Sequence, residues 1–563
     1  IELVDAPGHL LTRLEALGMK PVINSHLDYR RFLNGVGGMY RINWRSKPFA
    51  IREIYLRFRE LDLSAVDRIM QDQYSNRGPK PRSPSCMLRS LLLMIVMNVV
   101  SITHWVEYLH TSNFFAILSG FQPWDIPGVG TFYDFMDRLW NLAAPNFSPY
   151  VKPPLRKKVK KPKGKGQKAA PIEKESVAEL IIRLSQSSFS VDKEAYGLLF
   201  RIFRTCFLDE SIRRGKVNPD HLHISGDGTP VVTAARFRSH HTCDCWKKGI
   251  FDCDCNRYFP QPDCSVGWDS SRDCWYFGYD LYLLTDADSE LPLFPLYHEA
   301  SKHDSHGFCE AFFRFRNLAP DLKPASLLLD AAHDSMAMYK LCKLESITPF
   351  IDLNLGNSKK TSDYHGVTIG PDGVPVCSAG LKMKSNGNDL GRQYAKFRCP
   401  LNNDGVCSCE SPCSSAKFGR TCSIPMQTNI RLYTDPPRNS DEWQLMYNKR
   451  TASERCNKRI KLDYLLEAGK HHSTKFWYVR LYLIMMLMHM TSWDLPVKVP
   501  DNRIVSVSGD YACLLCLSFV YPVDRDLLSV SLPSFPRIMH FIQRYSECSL
   551  SLFFNNPGAL RFF

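Results

Sequence analysis

Apolar residues recur at helical spacing through Leu88, Leu91, Leu92, Ile95 and Val99. Ser83-Pro84 opens this predicted helix with a hydroxyl cap and a proline whose missing N–H costs nothing in the first turn. A second helix is predicted over 101–118, and a Gly/Pro-rich turn over 120–130. A third helix is predicted to run through Trp140, opened by Thr131-x-x-Asp134 as a capping box. Three short helices ahead of a larger domain suit a DNA-binding module and a plain packing layer equally. Further on, the pattern changes to period two. Strands are predicted at 221–225, ending at Gly226-Asp227-Gly228, and at 276–285 and 291–298. Two more are predicted at 326–329, ending at Asp330, and at 347–353. Helices are predicted over 304–317, 335–344 and 442–467. The Gly-, Pro-, Cys- and Asn-rich stretch 356–437 is too long for a plain loop and predicts an inserted β-rich subdomain.

This pattern implies an N-terminal helical region (1–150) and a linker (151–172). The first part of an α/β domain follows (173–355), carrying a Cys-rich insertion at 238–274. After it come the β-rich insertion (356–437), the final helices of the α/β domain (438–495) and a tail (496–563) with little helical period. A chain of 563 residues with 44% hydrophobic and 12% aromatic residues is expected to fold, and as more than one domain. Its net charge of +14 favours a polyanionic partner. The longest apolar runs, near 91–100, 481–490 and 511–520, fall short of the roughly 20 residues that span a bilayer, so no membrane association is expected. The opening IELVDAPGHL has neither the basic start nor the apolar run of a secretory leader. With 20 cysteines and no such leader, the thiols are expected to be reduced and the protein cytoplasmic. Residues 152–168 carry nine Lys/Arg and no acid, which reads as a solvated linker or as a segment tracking a phosphate backbone.

Cutting DNA with divalent metal requires carboxylates from separate parts of a fold to converge, because hard oxygen ligands suit Mg²⁺. Asp227 and Asp330 each follow a short apolar strand, although an aspartate there is often only a turn residue. The late helical segment YNKRTASERCNKRIKLDY adds a second feature. Tyr447, Arg450, Glu454 and Lys461 fall within an arc of roughly 60° at about 100° per residue. One face thus presents a carboxylate, two cations and a phenol, which suits a metal-bound phosphodiester. The plainer reading is a solvated face with ordinary ion pairs.

The spacing Tyr-x2-Arg-x3-Glu-x6-Lys, downstream of two strand-ending aspartates, resembles the pattern of a large group of bacterial insertion-sequence transposases, the DDE class. The similarity covers about 80–490. The resemblance implies an RNase H-like mixed sheet flanked by helices, with a β-rich insertion and an all-α N-terminal DNA-binding region. It implies that Asp227, Asp330 and Glu454 hold two Mg²⁺ or Mn²⁺ ions, and that Tyr447, Arg450 and Lys461 contact transposon-end DNA. Asp334 is a rival for the second carboxylate. The implied activity is cleavage at terminal inverted repeats and strand transfer into target DNA, by a synaptic homodimer on the bacterial nucleoid. A catalytically inactive or domesticated DNA-binding protein is the alternative.

The cysteines depart from the simplest members of that group. Cys243, Cys245, Cys253, Cys255, Cys264 and Cys274 lie between the first two predicted strands, beside His240 and His241. Cys399, Cys407, Cys409, Cys413 and Cys422 lie in the later insertion, and Cys513 and Cys516 lie in an apolar part of the tail. Clustered thiolates are natural Zn²⁺ ligands, and four close a structural site, with Cys243, Cys245, Cys253 and Cys255 the candidate set. The competing reading is an insertion rich in buried or free thiols.

Overall fold

A computed structural model of the chain describes residues 20–507, with breaks at 44–46, 77–79, 145–149, 152–174, 235–239, 252, 260, 262, 358–360, 404–405, 411–413, 418, 439, 469–472 and 499–503. The basic linker from 152, Cys413, the tail beyond 507 and with it Cys513 and Cys516 lie outside the described residues. The first strand of the central sheet, β1 (Leu222–Val232), runs straight through Gly226-Asp227-Gly228, where the sequence predicts its end. Asp227 is therefore mid-strand. Gly226 and Gly228 are there for close approach rather than for turning. A Cβ at Gly226 would lie 2.7 Å from Tyr282 Oη, and one at Gly228 would lie 2.7 Å from Asp304 Oδ1.

β1 pairs antiparallel with β3 (Cys274–Asp286), the longest strand. The far edge of β3 is shared. Its first half pairs with β2 (Ser265–Asp269) and its second half with β4 (Pro292–Glu299), both antiparallel. On the other side of β1 lie two parallel strands, β5 (Pro324–Leu329) and then β6 (Thr348–Ile351). The result is a mixed six-stranded sheet. β5 pairs with β1 only as far as Ser225, so from Gly226 onward that edge of β1 is open. Pro230, which lacks an N–H, sits in this open stretch, where a strand tolerates proline.

Helices flank the sheet. α1 (Asp304–Leu318) packs on β1, β3 and β4, and α2 (Met336–Leu344) connects β5 to β6. The helix predicted over 442–467 comes in pieces: α3 (Asp441–Asn448), α4 (Thr451–Lys458) and a π-helical turn, Arg459–Asp463. α4 packs against β1 and β3. α5 (Thr474–Ser492) is apolar nearly all round and buried along its length, which accounts for the run at 481–490. No helix among the described residues is long and apolar enough to cross a membrane.

The N-terminal helices share one core with the sheet rather than forming a separate layer. The helix Pro84–Val96 packs against α5, and Arg57 donates to the carbonyls of Met490 and Trp493 at 3.0 and 3.2 Å. The helix predicted over 101–118 is two, Ile102–Thr111 and Asn113–Ser119, broken where Ser112 is extended. The capping box predicted at Thr131 does not form, because the helix Val129–Arg138 starts earlier, with Gly128 at its cap. Capping boxes occur instead at Ser25 with Asp28 and at Ser176 with Glu179. The stretch 356–437 contains two small three-stranded antiparallel sheets around their own core of Ile369, Phe397, Ile424 and Tyr433.

Candidate active site

The open edge of β1 is where the acidic residues gather. Side chains alternate along a strand, so Ser225, Asp227 and Thr229 share one face while Gly226, Gly228 and Pro230 share the other. α4 covers the Asp227 face. Ser225 Oγ donates to the Arg450 carbonyl at 2.7 Å and lies 2.9 Å from Ser453 Oγ, while the Asn457 amide donates to Asp227 Oδ2 at 3.1 Å. Asp330 follows directly on β5, one strand over. Burial pushes the Asp227 carboxyl up to about 7, helped by the charges of Asp304 and Asp330 and less strongly by Glu454. The Asn457 hydrogen bond opposes this rise.

Asp330 behaves differently. Burial works against its charge, yet a hydrogen bond from His333, the Ala332 N–H and the pull of Arg450 hold it below the usual carboxylate range. The His333 ring bridges Asp330 Oδ1 (2.6 Å) and Tyr282 Oη (2.8 Å). With Asp330 ionised, Nδ1–H donates to the carboxylate, and Nε2 shares the second hydrogen bond with the Tyr282 hydroxyl. His333→Phe leaves both partners without this bridge. It should destabilise the fold by about 2 kcal/mol in denaturant unfolding, with the far-UV spectrum unchanged.

Arg450, Glu454 and Lys461 of the late-helix pattern lie near β1, though not all free, while Tyr447 packs beside Leu328 of β5 and Phe350 of β6. Glu454 is half exposed and paired with Arg450 at 2.7 Å. Arg450 lies over the Tyr447 ring, which stacks on Trp443 at 4.7 Å. Lys461 reaches back to β1, donating to the Pro230 carbonyl at 2.6 Å and approaching Glu467 at 3.4 Å. Among the described residues, the ligand atoms of Asp227, Asp330 and Glu454 do not all fall within 4.8 Å of one another. Their fields nonetheless meet at Asp227.

Two further carboxylates belong to this neighbourhood and were not singled out from the sequence. Asp280 on β3 and Asp304, the first residue of α1, lie on the opposite face, against Gly228. Burial, the charge of Asp304 with a hydrogen bond to it, and the charge of Asp227 raise Asp280 well above the carboxylate range, against the pull of Lys461. Among the described residues, Asp280 Oδ1 and His298 Nε2 are buried without hydrogen-bond partners. Burial also lowers His298, to about 4. The signals were present: Asp280 interrupts an apolar strand, His333 follows Asp330 by three, and Asn457 follows Glu454 by three on the same helix.

Asp334, the rival second carboxylate, is fully buried in a two-pronged pair with Arg431 (2.6 and 2.7 Å) and accepts the Asn354 N–H at 2.7 Å. It ties the entry of the insertion to its exit, whereas Asp330 keeps 41% of its side chain exposed.

The Cys-rich insertion presents a second centre. Cys243, Cys245, Cys253 and Cys255 bring their Sγ atoms within 4.8 Å of one another, a set that could hold a metal ion such as zinc. Cys264 and Cys274 stay outside it. In the later insertion Cys399 and Cys422 are buried, and among the described residues the thiols there form no such set. In comparisons with known proteins, the chain matches no family model and no curated protein.

Proposed function

We propose that the chain is a DNA transposase of the two-aspartate, one-glutamate class, with an RNase H-like catalytic domain. The observation that carries this reading is Asp227, a mid-sheet carboxyl raised to about 7 by burial and by the acids around it, at an open strand edge faced by the Glu454 helix. The strand order suits the RNase H-like reading: an antiparallel ribbon on one side of the Asp227 strand and two parallel strands on the other.

The donor set fits Mg²⁺ or Mn²⁺. It offers hard oxygens and an excess of like charge around Asp227. Asp227, Asp330 and Glu454 would hold the cations, with Glu454 exchanging its Arg450 partner for metal. The bound cations would activate the attacking oxygen and neutralise charge on the leaving one. The protein's own part is positioning. Asn457 orients Asp227 and His333 orients Asp330, while Ser225 and Lys461 fix the Glu454 helix segment against β1. Arg450 suits a two-pronged grip on a phosphate once released from Glu454, and Tyr447 suits a hydrogen bond or stacking contact with DNA. The partners are double-stranded DNA, as terminal inverted repeats and as target, and a second copy of the chain in the synaptic complex on the bacterial nucleoid.

The test uses the DNA flanking the gene as substrate. Purified chain with Mg²⁺ should nick or cut at an inverted-repeat boundary and join the freed 3′ end to a second duplex. Cutting without joining would make it a nuclease. Sequence-specific binding without cutting in Mg²⁺ or Mn²⁺ would make it an inactive transposase-derived DNA-binding protein.

A further inference from the structure

We infer that Cys243, Cys245, Cys253 and Cys255 bind one Zn²⁺ ion as a four-thiolate structural centre. The site lies outside the carboxylate cluster, and its existence does not depend on whether the chain cuts DNA.

Geometry carries the inference. Zn–S bonds of about 2.3 Å in a tetrahedron place sulfurs about 3.8 Å apart along each edge. Cys243 Sγ and Cys253 Sγ are 3.6 Å apart, and Cys245 Sγ and Cys255 Sγ are 3.7 Å apart. All four sulfurs lie within 4.8 Å of one another, and all four cysteines are free of disulfides. Four thiols at mutual contact gain little from one another. A single soft cation at their centre bonds all four, each thiol releasing its proton to solvent. Arg257 points a guanidinium nitrogen at Cys253 Sγ from 3.4 Å, the kind of donor that suits a sulfur carrying negative charge.

The surrounding segment needs such a cross-link. No buried apolar side chain occurs among its described residues between Val231 and Arg257, while Trp246, Ile250 and Phe251 are each at least half exposed. Without buried apolar side chains among these residues, a cross-link at the thiol cluster would do much to hold the segment's shape. The two Cys-x-Cys arms sit on either side of a turn, Cys245–Lys248 followed by Gly249 at φ +74°. Just past Cys255, Arg257–Tyr258 pairs on one edge with His240–His241 and on the other with Tyr150–Val151. Metal at the thiols would therefore fix the small sheet that anchors the chain immediately before its basic run.

The full chain should be expressed and purified without chelator, and its metal measured by elemental analysis. The expected content is about one zinc per chain. Cys245→Ser together with Cys255→Ser should lower it to below about a tenth, whereas Cys264→Ser with Cys274→Ser should leave it unchanged. Because the first pair could fail to fold, wild-type chain grown with Co²⁺ provides a second readout. A tetrahedral thiolate site gives intense visible and near-ultraviolet bands, and added Zn²⁺ should bleach them. The inference is overturned by any of four results: zinc well below one per chain with no Co²⁺ thiolate spectrum; iron in place of zinc; zinc retained in the Cys245/Cys255 variant; or recovery of the four thiols as two disulfides.

Discussion

If the chain cuts DNA as proposed, Asp227→Asn should reduce metal-dependent cleavage of the flanking DNA by at least about a thousandfold, because it would remove a charged ligand of the proposed metal centre. Binding of the same DNA should stay within a few-fold of wild type. The same variant should make the metal-free protein more stable above neutrality. An acid raised from 3.8 to about 7 keeps its proton in the native chain after the unfolded chain has lost it. Native stability therefore falls as pH rises from about 4 to 7, and the full penalty is present above 7. Asparagine carries no charge and can keep the Asn457 hydrogen bond. At pH 8 the metal-free variant should gain on the order of 3 kcal/mol over wild type, and at pH 4 almost nothing. Added Mg²⁺ should narrow the difference at pH 8 by stabilising the wild type alone. Thermal unfolding at the two pH values, with and without Mg²⁺, checks the sign. A variant less stable than wild type at pH 8 in chelator would show that Asp227 is not under charge stress.

Arg431→Met should destabilise the protein by about 3–5 kcal/mol, the cost of leaving a buried carboxylate without its partner. Asp334 is fully enclosed, and Arg431 supplies both of its charged contacts while also donating to the Asn354 carbonyl at 3.2 Å. Arg438 reinforces the junction by donating to the carbonyls of Arg431 and Ile351 and to Tyr339 Oη. These bonds close the neck of the 356–437 insertion onto β6 and α2. The double variant Asp334→Leu with Arg431→Met should recover most of the loss, since an apolar pair leaves no charge stranded. Denaturant unfolding of the two variants measures this, and equal losses in both would mean that the pair contributes packing rather than charge compensation.

The coarse architecture was legible because period-two runs and amphipathic stretches are local. The strands at 276–285, 291–298 and 326–329 and the helix at 304–317 match β3, β4, β5 and α1 to within a few residues. What failed was non-local. Gly226-Asp227-Gly228-Thr229-Pro230 has turn composition, and only the packing of Tyr282, Asp280 and Asp304 against the glycines explains why it stays extended. The break between α3 and α4 is equally invisible to periodicity, because both pieces keep helical spacing. Spacing and order singled out Asp227, Asp330 and Glu454, and the fold brings the charges of Asp330 and Glu454 to bear on Asp227. Asp280, Asp304 and His333 were not singled out: Asp280 and His333 leave local signals, but what they do depends on which strands lie side by side and on the Tyr282 contact. The four cysteines were legible as a cluster, but their convergence depends on a turn at Gly249 that composition alone does not specify.

The most direct test of the carboxylate site needs no DNA. With the thiol cluster loaded with zinc, Mn²⁺ binding to the full chain at pH 8 can be followed by the loss of the free-ion electron paramagnetic signal. The expected result is Mn²⁺ uptake that Mg²⁺ displaces, with affinity at least about tenfold weaker in Asp227→Asn and in Asp330→Asn. Absence of uptake, or unchanged affinity in both variants, would mean that these acids do not form a divalent-cation centre.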